Sequence, residues 1–167
     1  MVQVVVTFFG VLLVGAVVVS GLFVLGMRTK SRFVQGPIVW LGKHQFNKVA
    51  LRSAGEPGAG ASIIRHRGRT SGTTYETPIA AVATDDGFLI ALPYGLRSNW
   101  LRNVLAAGSA ALVHEGQTFE LHQPELIPLS TVETAFAPKE QRMHTIFNVT
   151  QVLRLRRGGT HDRAVAA

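Results

Sequence analysis

The sequence predicts a mainly β protein with some α: a small, curled antiparallel sheet preceded by one N-terminal transmembrane helix. Three observations carry this expectation. From Met1 to Met27 there is no charged residue, and Val, Leu, Phe and Gly fill nearly every position. From Ala61 onward, short apolar runs are separated by hairpin signals, Thr84-Asp85-Asp86-Gly87 and Glu115-Gly116-Gln117 among them. Within this run only one helix, about 97–107, interrupts the strands, which argues for hairpins rather than a parallel βαβ array.

At 167 residues the chain holds one domain and an appendage. We divide it into a transmembrane anchor (1–27), a basic juxtamembrane segment and helix (28–60), a β domain (61–157) and a tail (158–167). The absence of cysteine excludes disulfides, thiolate metal sites and thiol nucleophiles. Chemistry must come from hydroxyls, imidazoles, charges or a borrowed cofactor.

The first segment is long enough to cross a hydrocarbon core, for which roughly 20 apolar residues suffice. A cleaved signal peptide is the rival reading. It fits less well, because no basic residue precedes the apolar run and no Ala-x-Ala site follows it. Next come Arg28, Lys30, Arg32, Lys43, Lys48 and Arg52, with no Asp or Glu before Ala54. These six cations account for most of the formal net charge of +7, so the domain itself is nearly neutral. A nucleic-acid partner is therefore not expected, since its basic patch would lie on the folded module. A cationic collar beside a span instead attracts anionic lipid and obeys the positive-inside rule. The expectation is a single-pass plasma-membrane protein with its C-terminal domain in the cytoplasm. Between Pro37 and Ser53 the apolar spacing is roughly helical, and Trp40 is expected at the headgroup level.

In the domain we expect strands near 61–67, 74–83, 87–92, 109–115 and 117–126, and a closing strand over 152–156. The helix of 97–107 should end at Gly108, and Ser130 to Phe147 reads as helical with Pro138 dividing it or marking a loop. The stretch Ile64 to Pro78 has the makings of an anion cradle. Arg65, Arg67 and Arg69 recur at a spacing of two, so on a strand their guanidinium groups leave one face. Gly68 and Gly72 then bracket a hydroxyl-rich turn whose N–H groups and Ser71 suit phosphate oxygens. A solvated hairpin with a basic face is the plainer reading. Since Gly68 and Gly72 open a strand rather than a helix, a Rossmann turn is not supported.

Downstream, Pro93 to Gly108 reads as a glycine turn followed by a helix on which Trp100 and Asn103 share a face. Together the two stretches resemble the deazaflavin-dependent nitroreductase and quinone reductase family, which pairs a Gly-Arg-x-Ser/Thr-Gly turn with a Trp-x-x-Asn helix. The likeness runs from about Val39 to Arg157, and Thr77-Pro78 after the first motif adds to its specificity. The resemblance implies a split β-barrel and the deazaflavin coenzyme F-420. It implies cofactor contacts from Arg67, Arg69, Thr70, Ser71 and Gly72 near the phosphate. Thr77, Pro78 and Ile79 would lie along the ring edge, and Trp100 and Asn103 beside the cofactor. Thr70, Thr74 and Tyr75 stand where members often carry basic residues, so Arg65, Arg67, Arg97 or Arg102 must supply the missing charge. Tyr94 is the candidate catalytic donor to a substrate oxygen; a structural tyrosine, a core Trp100 and a surface Asn103 are the plainer readings.

No metal is expected, because the six histidines lack ligand spacing and a carboxylate cluster. His66 alternates with the arginines and should face inward as a neutral, hydrogen-bonded imidazole. Ser71 has no His–Asp pair to activate it, and Asp85-Asp86 reads as turn chemistry. Two functions follow. One is a membrane-anchored oxidoreductase passing hydride from reduced F-420 to a quinone or other lipophilic acceptor. The other is a non-catalytic split barrel that binds a fatty acid or isoprenoid lipid, or serves a membrane complex or oligomer. Flavin mononucleotide, or no cofactor at all, is the alternative to F-420.

Overall fold

The computed structural model describes residues 2–30 and 51–158. Arg32, Trp40, Lys43, Lys48, most of the helical pattern expected after Pro37, and the tail beyond Gly158 lie outside the described residues.

Helix α1 (Val2–Arg28) is the apolar segment. Its stretch Gly10–Arg28 has a mean hydropathy of 2.5, long and apolar enough to cross a membrane. Val11, Leu13, Val14, Val17, Val19 and Leu22 are all exposed, so apolar side chains point outward around the helix. Its C-terminal end is covered: Met27 is buried.

Seven strands follow: β1 (Ser62–Arg67), β2 (Thr74–Ile79), β3 (Val82–Ala83), β4 (Gly87–Ala91), β5 (Ser109–His114), β6 (Gln117–Pro128) and β7 (Gln151–Arg157). Helix α2 (Asn99–Ala107) joins β4 to β5, and α3 (Pro138–Ile146) joins β6 to β7. The sheet order is β2-β1-β5-β6-β7-β4-β3, with every pairing antiparallel. β2 and β3 stand at opposite ends of this order, yet only Ala80 and Ala81 separate them in the chain. Laid flat, seven strands would put those ends roughly 29 Å apart, against a reach of about 11 Å for the connection. The sheet must therefore curl until its edges approach, which gives the split β-barrel.

That closure explains one difference from the sequence reading. The expected single strand over 74–83 is two strands, because the chain leaves β1 and turns at Ala80-Ala81 to join β4. A second difference concerns Ser130 to Phe147. Two 3-10 turns, Leu129–Thr131 and Glu133–Ala135, come first, and α3 begins only at Pro138. Proline suits that first position, where its fixed φ is helical and its missing N–H needs no partner. Similarly, Ser98 is extended, so 97–107 splits into a 3-10 turn over Gly95–Arg97 and α2 proper. Gly108 ends α2 as expected, with φ 70° and its N–H donating to Val104 O at 2.9 Å.

The core fills the curl. Ile64, Phe88, Ile90, Leu112, Leu121, Leu153 and Leu155 project inward from the strands, and α2 contributes Leu101 and Val104 to the same cluster. The apolar face of α2 thus seats the helix, with Trp100 packed partly against the same cluster. Because Leu101 is fully buried, Leu101→Ala should lower stability by about 2–5 kcal/mol. The midpoint of urea unfolding of the detergent-solubilised chain checks this; an unchanged midpoint would mean that α2 is not seated by its core contacts.

Candidate functional site

Strand β1 ends at Arg67, and the turn that follows decides which arginine faces the interior. Arg65 and Arg67 do share the outer face. There Arg65 Nε pairs with Glu76 Oε1 at 2.8 Å, and Arg67 Nε donates to Gly72 O at 3.1 Å. Arg69 lies past the strand and does not continue the row. The reason is the tightness of the turn: Gly68 N–H donates to Thr73 O, Gly72 N–H to Gly68 O, both at 2.8 Å. A Cβ at Gly68 would come within 2.4 Å of Ser71 Oγ and 2.8 Å of the Tyr75 ring, so only glycine fits. The expectation of three guanidinium groups on one face is thereby corrected. Arg67 instead closes the turn from outside.

Arg69 folds toward α2. Its Nη1 donates to Asn103 Oδ1 at 2.8 Å, and its backbone N–H donates to the same oxygen at 3.3 Å. The other end of the amide, Nδ2, donates to His66 Nδ1 at 3.1 Å. Since that nitrogen accepts, the proton of the imidazole sits on Nε2, which donates to Thr77 Oγ1 at 3.1 Å. Asn103 and His66 are both 5% exposed. Burial pushes the His66 pKa down, so the ring is neutral, as this network requires. Tyr75 stacks on His66 with ring centroids 5.8 Å apart, and its hydroxyl lies 3.2 Å from Ser71 Oγ.

The network backs one wall of a cleft of about 1320 Å³ at the barrel's seam. Of the residues singled out from sequence, Arg69, Thr70, Ser71, Thr77, Pro78, Ile79, Tyr94, Trp100 and Asn103 line it. Arg67 and Gly72 do not. Pro78 is tolerated because β2 ends the described sheet and pairs on one side only. Asn103 is a buried network member rather than a surface residue, and Trp100 packs partly against the core while also lining the cleft. Among the four arginines expected to replace the missing basic residues, only Arg97 reaches the cleft. Arg65 and Arg67 are engaged outside, and Arg102 Nη2 donates to Arg97 O at 3.0 Å and Asn99 Oδ1 at 3.2 Å.

The opposite wall is one the sequence reading did not assign. Phe136, Lys139, Glu140, Met143, His144 and Phe147 line it, most of them from α3. Helix α3 ends in a Schellman turn: Val149 N–H donates to His144 O at 2.9 Å, Asn148 N–H to Thr145 O at 3.3 Å, and Asn148 has φ 51°. The end of α1 docks here. Arg28 Nη1 donates to Thr145 O and Ile146 O, while Lys30 Nζ donates to Phe147 O at 2.9 Å and to Pro93 O at 2.7 Å. Burial lowers the Lys30 pKa, and Phe23 meets Phe147 edge to face at 6.1 Å. No group of metal-ligating side chains occurs among the described residues.

The buried imidazole makes stability depend on pH. His66 has a native pKa below its ordinary 6.5, so the unfolded chain binds the proton first as pH falls. Stability is therefore full above pH 6.5 and declines from there toward the native pKa, by at most about 1.4 kcal/mol per pH unit for each such group. Urea unfolding measured from pH 8 to pH 5 should show this decline, and His66→Gln should flatten it.

No family model and no curated protein matches the chain. Solved structures to which it is similar include an F-420-H2 dependent reductase, at 14% identity over 58% of this chain and 94% of that one, with a TM-score of 0.42. Another is an F-420 reductase, at 10% identity over 65% and 92%, TM-score 0.42. A third is a protein related to general stress protein 26 of B. subtilis, of the pyridoxinephosphate oxidase family, from Clostridium acetobutylicum. It shows 8% identity over 66% of this chain and 80% of that one, TM-score 0.45. At these identities and TM-scores the chemistry of this chain has to be read from its own residues.

Proposed function

We propose that the chain is a membrane-anchored oxidoreductase that holds reduced coenzyme F-420 in the seam cleft and delivers hydride to a quinone or another lipophilic acceptor. One observation carries the reading: the two stretches that resemble the deazaflavin family meet through Arg69 and Asn103 at the wall of a single large cleft.

The residues present fit the coenzyme's anionic end. Arg69 spends one guanidinium nitrogen on Asn103 and offers the remaining N–H fork to the cleft beside Thr70 and Ser71. Arg97 adds a second cation in place of the basic residues that Thr70 and Tyr75 do not provide. Thr77, Pro78 and Ile79 give a flat edge for a ring, with Trp100 close by. When bound, the reduced deazaflavin supplies hydride; conversion of a quinone to the quinol also consumes one proton. Tyr94, 40% exposed on the cleft rim, is the side chain of this protein suited to donate a hydrogen bond or that proton, with solvent to replenish it. The neutral His66 and Asn103 act behind Arg69, holding its orientation before any ligand arrives.

A second reading has its own support. Without basic side chains at positions 70 and 75, and with Phe136, Met143 and Phe147 on its α3 wall, the cleft also suits a fatty acid or isoprenoid chain in a non-catalytic protein or membrane-complex subunit. Titration separates the two. The full-length chain in detergent should bind reduced F-420, and Arg69→Ala should weaken binding roughly 10- to 100-fold through loss of a charge-assisted contact. Absence of binding at high micromolar coenzyme, with lipid found by mass spectrometry of the purified protein, would favour the second reading. A yellow preparation would point to flavin mononucleotide instead.

For α1 we propose a retained single-pass anchor in the plasma membrane, with the domain in the cytoplasm. Its exposed apolar surface supports a lipid environment, and the docking of Phe23, Met27, Arg28 and Lys30 on the domain supports retention in the mature chain. The first cations follow the span directly. A reporter fused after Ala167 should be active on the cytoplasmic side; activity confined to the other side would reverse the orientation.

A further inference from the structure

The α3 wall contains one polar group that the network around His66 does not reach. His144 is 7% exposed, and its Nδ1 is sealed from solvent with no hydrogen-bond partner. Nε2 has no partner among the described residues either, but it is not sealed, and the residue lines the cleft. This contrasts with His66, both of whose nitrogens are engaged. A buried imidazole with neither nitrogen satisfied is costly, and such groups in native proteins usually await a ligand or water.

The surroundings restrict what that ligand is. The Phe136 ring meets the imidazole edge to face at 4.8 Å, and Met143, Phe147 and Val149 line the cleft around it. Glu140 and Glu133 act on His144 from α3 and the preceding turn, but burial outweighs them and its pKa lies below the ordinary value. The ring is neutral, and the nearby carboxylates disfavour an anion. Lys139 lines the same cleft and is exposed, so it is drawn to solvent rather than to this apolar pocket. A buried, unpartnered lone pair is better tolerated than a buried, unpartnered N–H, which leaves the proton on Nε2, facing the cleft. The site offers one neutral donor in an apolar, aromatic wall. Its natural partner is the carbonyl oxygen of an uncharged, planar, apolar molecule.

We propose that His144 binds the acceptor: its Nε2–H donates to a carbonyl oxygen of a quinone lying against Phe136, Met143 and Phe147. This makes His144 a specificity-determining residue on the wall opposite Arg69. The acceptor's role rests on the oxidoreductase reading, whereas the binding itself does not.

The test uses the full-length chain in detergent micelles with menadione as probe and 2-methylnaphthalene, which lacks the carbonyls, as control. Tryptophan fluorescence follows binding, because Trp100 lines the cleft. His144→Phe should weaken menadione binding by roughly tenfold or more, while His144→Gln, which keeps a donor, should stay within about threefold of the native chain. In the native chain labelled with ¹⁵N-histidine, the Nε2–H resonance of His144 should move on adding menadione and not on adding 2-methylnaphthalene. A native-like affinity of His144→Phe, or an unmoved resonance, would overturn the proposal; the resonance decides the matter if the variants do not fold. Should reduced F-420 fail to bind while menadione binding still depends on His144, the coenzyme reading falls and this one stands. If the coenzyme binds and menadione is indifferent to His144, the coenzyme reading stands and this one falls.

Discussion

The side-chain amide of Asn103 is the contact on which the site depends. An amide has two chemically distinct ends, and here each meets a residue more than thirty positions away in sequence, Arg69 and His66. The oxygen can only accept and the nitrogen can only donate, so the orientation of Asn103 fixes where the Arg69 guanidinium points and which imidazole nitrogen of His66 carries the proton. His66 in turn holds Thr77 on β2. Three elements that belong to different parts of the chain are thus locked through the buried Asn103 and His66, where an unpaired polar group costs about 1–3 kcal/mol. Rigidity of this kind keeps a charged side chain at the wall of a cleft, while Glu76, which also lines it, is held by Arg65.

The cleft is itself a consequence of how the sheet closes. β2 and β3 are neighbours in sequence and opposites in strand order, and the Ala80-Ala81 corner between them marks where the barrel is split. A continuous barrel would fill its interior with side chains. Here the seam leaves room, and α2 and α3 border it from two directions. The core residues Leu101 and Val104 draw one face of α2 into the barrel, which directs Trp100 and Asn103 toward the seam. Burial of a few apolar side chains therefore sets the position of the polar ones.

How much of this was legible in the sequence follows from range. Strands, the Asp85-Asp86 and Glu115-Gly116 turns and the Gly108 helix end are written in local periodicity and turn chemistry, and the structure has them where expected within a few residues. His66 as an inward, neutral imidazole was also readable, because it alternates with two outward arginines on one strand. Spacing could not reveal that Arg69 leaves the row of Arg65 and Arg67, since it lies past the strand in a tight turn and is drawn to Asn103. Nor could it give the partner of Asn103. The i,i+3 relation to Trp100 names a shared face, while the hydrogen bonds are tertiary. The α3 wall was invisible for the same reason. Its polar sequence shows little apolar face of its own, and its importance arises only from where the barrel puts it.

The junction of α1 with α3 joins the apolar helix to the cleft by backbone chemistry rather than by side-chain packing alone. The last carbonyls of a helix lack intrahelical partners and carry the negative end of its dipole. In α3 the Schellman turn satisfies two of them, and Arg28 and Lys30 take the carbonyls of residues 145, 146 and 147. Lys30 also bonds Pro93 O, one residue before Tyr94, so a single ammonium ties the α3 wall to the adjoining rim. A helix of 27 residues is about 40 Å long, which exceeds the roughly 30 Å of a hydrocarbon core. The cations at its end are already committed to carbonyls of the domain. They consequently fix the cleft beside the end of the apolar helix, whose Phe23 already meets Phe147 on the cleft wall.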